Sequence, residues 1–417
     1  MPESAGAKMV ALDPEFVRNQ FPSFRQKDLR DKVFCENAGG SLVCRYVIWR
    51  IHRYFNERRV QPYGAYPASQ QAGAEMDEAR LRLAAHLGVA RDEVHFGPST
   101  SANTYVLAQA FRQWLPRGAA IVVTDQDHEA NSGVWRRLAE DGGVEIREWK
   151  ADPGTGHLDP GVLAALLDQR VRLVCFPHAS NILGEVNDVA AICRMLRSAG
   201  ALSCVDGVGY APHGLPDIRR LGADIYLFST YKTYGPHQGV MVMQGELAHR
   251  LPNQGHWFNA GDTVKRFNPA GPDHAQVAAC AGISDYIDAI YDHHFRGGRD
   301  AQGRADKVAE LFRQQETAVL TPLMDYLAGR PNLRVLGPKR ADRRLPTVSV
   351  ALSEPAAQVA ERLARHGILA GGGDFYARRL LQAMGVDPVR GVLRLSLLHY
   401  TLPEEVDRLI TALDSEL

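Results

Sequence analysis

Between residues 75 and 245, short apolar runs alternate with stretches whose apolar residues recur every three or four positions. GAEMDEARLRLAAHLG sets Met76, Leu83 and Leu87 on one stripe of a helix, and Gly88 is placed to cap it. EVHFG predicts a tight strand that runs into the small polar loop PSTS. TYVLAQAFRQWL then brings Leu107, Phe111, Trp114 and Leu115 to helical spacing. AAIVVT (119–124), VRLVCFP (171–177), ALSCVD (201–206), ADIYLFS (223–229) and GVMVM (239–243) read as strands, with helices around 131–140 and 187–199 between them. Continuous apolar runs of this length suit strands covered on both faces. Their alternation with helices predicts an α/β fold built on a mostly parallel sheet.

The texture changes after about residue 290. A long helix near 299–328 precedes NLRVLG, PTVSVAL, a helix at 355–366, GILA, GVLRLSLL and a closing helix near 403–416. This predicts a large domain over 26–290 and a small C-terminal α+β domain over 291–417. Residues 1–25, which include DPEFVRNQFPSF, are expected to pack with the small domain.

Composition narrows the function classes. A chain of 417 residues is long enough for two or three units with substantial cores. Lys+Arg and Asp+Glu are 48 each, so the basic excess that nucleic-acid binding calls for is missing. No apolar run reaches the ~18 residues of a membrane span, and MPESAGAKMVALDPEF lacks the pattern of a secretory signal. A cytoplasmic protein without nucleic-acid or membrane partners is expected. The six cysteines (Cys35, Cys44, Cys175, Cys193, Cys204, Cys280) include no C-x-x-C pair, so no metal site is expected from them, and none lies beyond 280.

The chemistry is concentrated in VDGVGYAPHGLPDIRRLGADIYLFSTYKTYGPHQGVMVM, 205–243. Asp206 ends one buried strand, and Lys232 follows the next. Open parallel sheets carry their functional groups at the carboxyl ends of strands. A carboxylate and an amine delivered to that edge suit pyridoxal 5′-phosphate: the lysine forms an imine with the aldehyde, and the carboxylate keeps the pyridine nitrogen protonated. Either residue alone reads as an ordinary surface lysine or strand-end aspartate. Together, flanked by Ser229-Thr230-Tyr231 and TYGPHQG, they read as a site.

The segment STYKTYGPHQG resembles the lysine segment of the class V aminotransferase family, fold type I pyridoxal-phosphate enzymes that include the cysteine desulfurases. ENAGGS (36–41), DHEAN (127–131), HASNILG (178–184) and RLSLLHYTLPEEVDRL (394–409) resemble further family segments, in the family's order. The resemblance implies Lys232 as the Schiff-base lysine and proton shuttle, and Asp206 as the pyridine partner. It implies His128 stacked over the ring and Asn181 near the cofactor 3′-oxygen or the substrate carboxylate. Ser99 and Thr100, at the start of a predicted helix, would bind the phosphate with Ser229. Tyr231 stands where many relatives have histidine, and Arg394 matches the arginine that holds an α-carboxylate. A homodimer acting on a small amino acid is implied as well.

The departures set the reaction. Desulfurases carry a nucleophilic cysteine after a glycine-containing loop; here the stretch is HGILAGGGDFYARRL, and Tyr376 is nearest that position. Gly209 replaces a family glutamine or histidine, and FNPAGPDHA lacks a threonine that reaches a partner's phosphate, leaving His274 or backbone to substitute. Loss of the cysteine disfavours persulfide chemistry and leaves a C–S or β-lyase as the preferred reading. Tyr376 would line the pocket or act as a general acid. An aminotransferase or epimerase is the alternative, ahead of a non-catalytic scaffold or a nicotinamide oxidoreductase. For the last, GVGYAP breaks the dinucleotide pattern, and GGGDFY reads as an isolated glycine cluster. His213, His293 and His294 lack ligand spacing and are expected at the surface.

Overall fold

The computed structural model describes residues 10–417, apart from the side chains of residues 141 and 142. Its strands, in chain order, are β1 (Val33–Phe34), β2 (Val94–Gly97), β3 (Ala120–Thr124), β4 (Glu145–Trp149), β5 (Val171–Pro177), β6 (Leu202–Asp206), β7 (Ile225–Ser229), β8 (Gly239–Met243), β9 (Arg334–Leu336), β10 (Thr347–Ala351), β11 (Ile368–Leu369), β12 (Gly371–Gly373) and β13 (Val392–Ser396). Seven of them form a sheet in the order β2-β8-β7-β6-β5-β3-β4. β7, β6, β5, β3 and β4 pair in parallel, whereas β8 is antiparallel to both of its neighbours.

Side-chain alternation explains why the strands read as unbroken apolar runs. Val122, Val174, Phe176, Val205, Tyr226 and Phe228 pack into one core, with Leu83 and Met76 of the helix Pro67–His86. Their neighbours Ile121, Val123, Leu173, Cys175, Cys204, Ile225 and Leu227 pack into another, with Leu107 and Phe111 of the helix Thr100–Trp114 and Trp135 of the helix Gly133–Gly142. With period-2 side chains, both faces of the sheet are dry.

A four-stranded antiparallel sheet, β12-β13-β10-β9, follows. Its core takes Val348, Val350, Leu393 and Leu395 from the strands, Val359 and Leu363 from the helix Ala356–Arg365, and Val406 and Leu409 from the helix Pro403–Glu416. The helix Ala301–Ala328 joins the two layers: Val308 and Phe312 enter the first core, and Leu320, Leu323 and Leu327 enter the third. β1 pairs in parallel with β11, and Val33 and Cys35 enter that third core. Phe21, from the segment before β1, sits among Tyr234, Tyr286 and Tyr400.

Three sequence expectations need correction. EIREW forms β4, a sheet edge that the apolar pattern missed because four of its five residues are only half-buried. The glycine cluster is not isolated: Gly371–Gly373 pair with Arg394, Leu393 and Val392. His213 is not a surface residue, because its side chain is 8% exposed and its Nδ1 lies 2.9 Å from Glu316 Oε2. His294 is also drawn inward, where its Nε2 accepts from the Asp13 backbone N–H. Among the described residues no helix is long and apolar enough to cross a membrane.

Candidate active site at the sheet edge

Because β2, β3, β5, β6 and β7 run the same way, the loops leaving them converge on one edge of the sheet. β2 delivers Ser99 and Thr100, β3 delivers Gln126 and His128, and β5 delivers Ala179 and Asn181. β6 delivers Asp206, and β7 delivers Ser229, Tyr231 and Lys232. All of these line one cavity of about 270 Å³, together with Gly209 and His237. β8 runs in the opposite direction, so its beginning, preceded by His237, lies at the same edge.

Burial sets the charge state of the central pair. The Lys232 amine is pushed down to about 8, first by burial and then by the Arg394 guanidinium, against the opposing pull of Asp206 and Glu36. Burial raises the Asp206 carboxyl, offset by the Val208 backbone N–H, which donates to Oδ1 at 2.8 Å, and by Lys232. His128 is lowered to about 4 by burial and by the charges of Lys232 and Arg394. Its Nδ1 accepts from the Ala130 N–H at 3.1 Å, so the neutral ring carries its proton on Nε2. The turn bearing it is stapled by Asp127, which takes Asn131 Nδ2 at 2.9 Å and Thr124 Oγ1 at 2.5 Å. Those bonds account for the first and last residues of DHEAN. Burial raises Asp127 to about 8.

At the N-terminus of the helix Thr100–Trp114, Ser99 caps with its side chain, and Thr100 Oγ1 lies 2.7 Å from Ser229 Oγ. The hydroxyls of Ser99, Thr100, Ser101 and Ser229 therefore gather where unpaired N–H groups and the helix dipole favour an anion. Tyr231 stacks on His237, with centroids 4.9 Å apart and planes within 8°.

The remaining expected residues sit around this cavity. Asn181 lines it, with Nδ2 donating to the Phe375 carbonyl at 3.0 Å. The Arg394 guanidinium, 3% exposed, lies over the Phe375 ring, and its Nη2 is 2.6 Å from Glu36 Oε1. Its Nε is buried without a partner, as is Glu36 Oε2. Tyr376 is not among the lining residues: it is 71% exposed at the mouth, with its ring centroid 5.2 Å from that of His128. Phe375 and Tyr376 both have positive φ, 49° and 59°, an uncommon backbone for bulky residues. His274 lines a separate groove with Tyr63 and Lys265.

Sequence reasoning assigned no role to Glu36, Gln126 or His237. Glu36 and His237 sit inside ENAGGS and TYGPHQG, and the partners that give them roles lie on other elements. All six cysteines are buried, and the cavity lining contains none.

A family model described as aminotransferase class-V matches residues 33–275 and 305–409. An aminotransferase-like protein of Gibberella zeae, FGM3, is 34% identical over 96% of this chain and 97% of its own length. A cysteine desulfurase of Yersinia pestis is 28% identical over 96% and 97%. Among solved structures, a C-DES mutant with glycine covalently linked to its PLP cofactor superposes with a TM-score of 0.76 at 18% identity, covering 96% of this chain and 99% of that one. With the lysine, the aspartate and the motifs at one sheet edge, and with a match spanning most of the chain, this protein belongs to the class-V aminotransferase family and is a pyridoxal-phosphate-dependent enzyme.

Proposed function

We propose that the enzyme is a lyase that breaks a C–S or other β bond of a small amino acid. One observation carries this reading: a buried lysine of lowered basicity shares its cavity with a buried aspartate, and no cysteine reaches that cavity. The residues present fit the cofactor. A cluster of hydroxyls at a helix start suits its phosphate, Asp206 suits its ring nitrogen, and the aromatic face of His128 suits its ring. Bound there, pyridoxal phosphate supplies an electron-accepting ring that stabilises negative charge at the substrate Cα.

The chain's own groups do the rest. At pH near 8 about half of Lys232 is free amine, able to link to an aldehyde and afterwards to move a proton at the substrate Cα. His128 remains neutral above about pH 4 and offers an N–H from Nε2. Arg394, with Nε unpaired and Nη2 shared with Glu36, takes the α-carboxylate and so fixes which Cα bond stands ready to break. Tyr376 packs beside the His128 ring, and the Phe375 ring lies under the Arg394 guanidinium.

The aminotransferase reading, with epimerisation behind it, is favoured by the family model and by the description of the Gibberella zeae relative. A screen of amino acids separates the two. Release of a keto acid from a substrate with a β leaving group, with no keto-acid co-substrate, supports the lyase. A strict need for a keto acid refutes it. Borohydride should fix the cofactor on Lys232; labelling elsewhere would overturn the site. We also propose a homodimer, as the family resemblance implies; the neighbouring rings of Trp257 (85% exposed) and Phe258 (66%) are exposed aromatic area that a partner could cover. An active monomer in light scattering would refute it.

A further inference from the structure

We infer that His237 binds the cofactor phosphate as an imidazolium, so that uptake of the cofactor takes up a proton at this residue. The inference rests on the proposed cofactor site. His237 lines the cavity together with Ser99, Thr100, Ser101 and Ser229. Its position follows from topology. β8 alone among the sheet's seven strands runs backwards, so the residue before it reaches the edge where the other strands end. Gly239, at the start of β8, is packed so closely on Ser99 and Thr100 that a Cβ there would collide with their backbone. The loop bearing His237 is thereby pressed against the helix start.

The tautomer is dictated by the partner. Nδ1 lies 3.2 Å from the Pro98 carbonyl oxygen, which can only accept, so Nδ1 carries a proton. A neutral ring would then turn a lone pair on Nε2 towards the anion, and two acceptors repel. Adding a proton at Nε2 converts it into a charge-assisted donor to a phosphate oxygen. The balance is one proton taken from solvent for each phosphate bound, with no covalent bond made or broken. Stacking against Tyr231 fixes the plane of the ring and favours a cation on an aromatic face. The other titratable groups near it are Lys232, Asp206 and His128 in the cavity and Asp273 in the groove on its far side. Among them Lys232 opposes the imidazolium, and the two aspartates favour it.

Histidine is the side chain whose charge ordinarily changes between pH 5 and 8. The test is therefore made above that range, on the full chain carrying Lys232→Ala so that imine chemistry does not contribute. Binding of pyridoxal phosphate, measured by calorimetry at pH 8.5 in buffers of different ionisation enthalpy, should take up close to one proton more than binding of pyridoxal does. The Kd of pyridoxal phosphate should rise with pH above pH 8. Pyridoxal, which lacks the phosphate but presents the same pyridine nitrogen to Asp206, supplies the baseline, and its Kd should rise less steeply by up to about tenfold per pH unit. Adding His237→Gln should bring the uptake and the pH dependence for pyridoxal phosphate down to those for pyridoxal.

Uptake for pyridoxal phosphate that does not exceed that for pyridoxal, or an excess that persists in His237→Gln, would overturn the inference and leave the cofactor site standing. Failure of pyridoxal phosphate to bind at all would instead overturn the site. If His237→Gln does not fold, ¹⁵N-histidine spectra of the Lys232→Ala protein decide the question. The Nε2 signal of His237 should move from lone-pair to N–H character on adding cofactor, and an unmoved signal refutes the inference.

Discussion

Replacing Glu36 by Gln tests whether Arg394 is a receptor for a substrate carboxylate or one half of a structural ion pair. Two opposite effects are expected. In the resting protein Glu36 Oε1 is 2.6 Å from Nη2 of a guanidinium that is 3% exposed. Breaking a buried pair by removing one partner costs about 3–5 kcal/mol, and the 30% exposure of Glu36 places this case below that range, at about 2–3 kcal/mol. For a chain of this size that corresponds to a fall of about 2–3 °C in the Tm of the apo-protein. Substrate should respond the other way. An α-carboxylate arriving at Arg394 meets the Glu36 carboxylate as a like charge about one guanidinium width away. At an effective dielectric near ~20 and a separation of ~5 Å the repulsion is about 3 kcal/mol, and partial exposure of Glu36 reduces it to about 1–2 kcal/mol. Glu36→Gln should therefore bind the substrate carboxylate about tenfold more tightly. The assay pairs a thermal melt of the apo-protein with KM and with inhibition by simple carboxylates. A melt that falls while KM is unchanged or rises would mean that Arg394 serves Glu36 alone, and the assignment of the carboxylate subsite would fail.

Lys232→Met should stabilise the apo-protein at pH 7 by about 3 kcal/mol, because the folded chain holds the amine at about 8 against an ordinary 10.5. Below pH 8 both folded and unfolded chains are protonated, so the cost of the buried charge is fully present there. It is relieved as pH rises from 8 to 10.5, so the gain in Lys232→Met should vanish by about pH 10.5; a gain that does not vary with pH would refute the account. Native protein should show no fast-reacting thiol towards a disulfide reagent and six after denaturation. Burial pushes Cys44 and Cys280 up to about 12 and Cys193 to about 11. A fast thiol, or a persulfide trapped in amounts matching turnover, would restore a desulfurase reading. Tyr376→Phe should change turnover less than about threefold, since its ring, not a buried hydroxyl, meets His128; a loss of ~100-fold or more would make the phenol a general acid.

The parts of the fold legible in the sequence are those whose side chains have two dry faces. β5, β6 and β7 were found to within two residues because every alternate side chain enters a core. β4 escaped notice for the converse reason. It pairs only with β3, and its charges find partners at the surface: Arg136 reaches Glu148 at 2.7 Å, and Arg170 reaches Glu145 at 2.7 Å. β12 was hidden by its composition. A Cβ at Gly372 would collide with the Ala356 backbone at the start of the helix Ala356–Arg365, so a run that reads as a flexible loop is a strand kept bare for a helix to sit on. The buried partner of His213 was unreadable because Glu316 lies 103 residues away. In the site, Asp206, Lys232, His128 and Ser99 were legible as strand-end or helix-start residues. Glu36 and His237 were quoted in motifs and left without a role, because what gives them one is a partner on another element: Arg394 in β13 for the first, Tyr231 and the Pro98 carbonyl for the second.

The two layers divide the work unequally. The residues proposed to grip the cofactor stand at strand ends of the central sheet, where hydrogen-bonded neighbours and two dry cores leave little freedom. On the proposed reading, the choice of reaction falls to the other layer, to Arg394 on β13 and the segment that leaves β12 through Asp374 to Tyr376. That segment is held by backbone bonds to the first layer: the Glu129 N–H donates to the Tyr376 carbonyl at 2.8 Å, and Asn181 Nδ2 donates to the Phe375 carbonyl at 3.0 Å. Bonds of this kind ask nothing of the side chain at 376, whereas Phe375 keeps its place under Arg394. A cysteine, a tyrosine or another residue can stand at the mouth without disturbing the loop or the cofactor site beneath it. Loss of a nucleophilic thiol at this position is therefore compatible with full retention of the lysine, the aspartate and the histidine. In this chain the three residues stand beneath a tyrosine at that position, the arrangement the proposed lyase reading calls for.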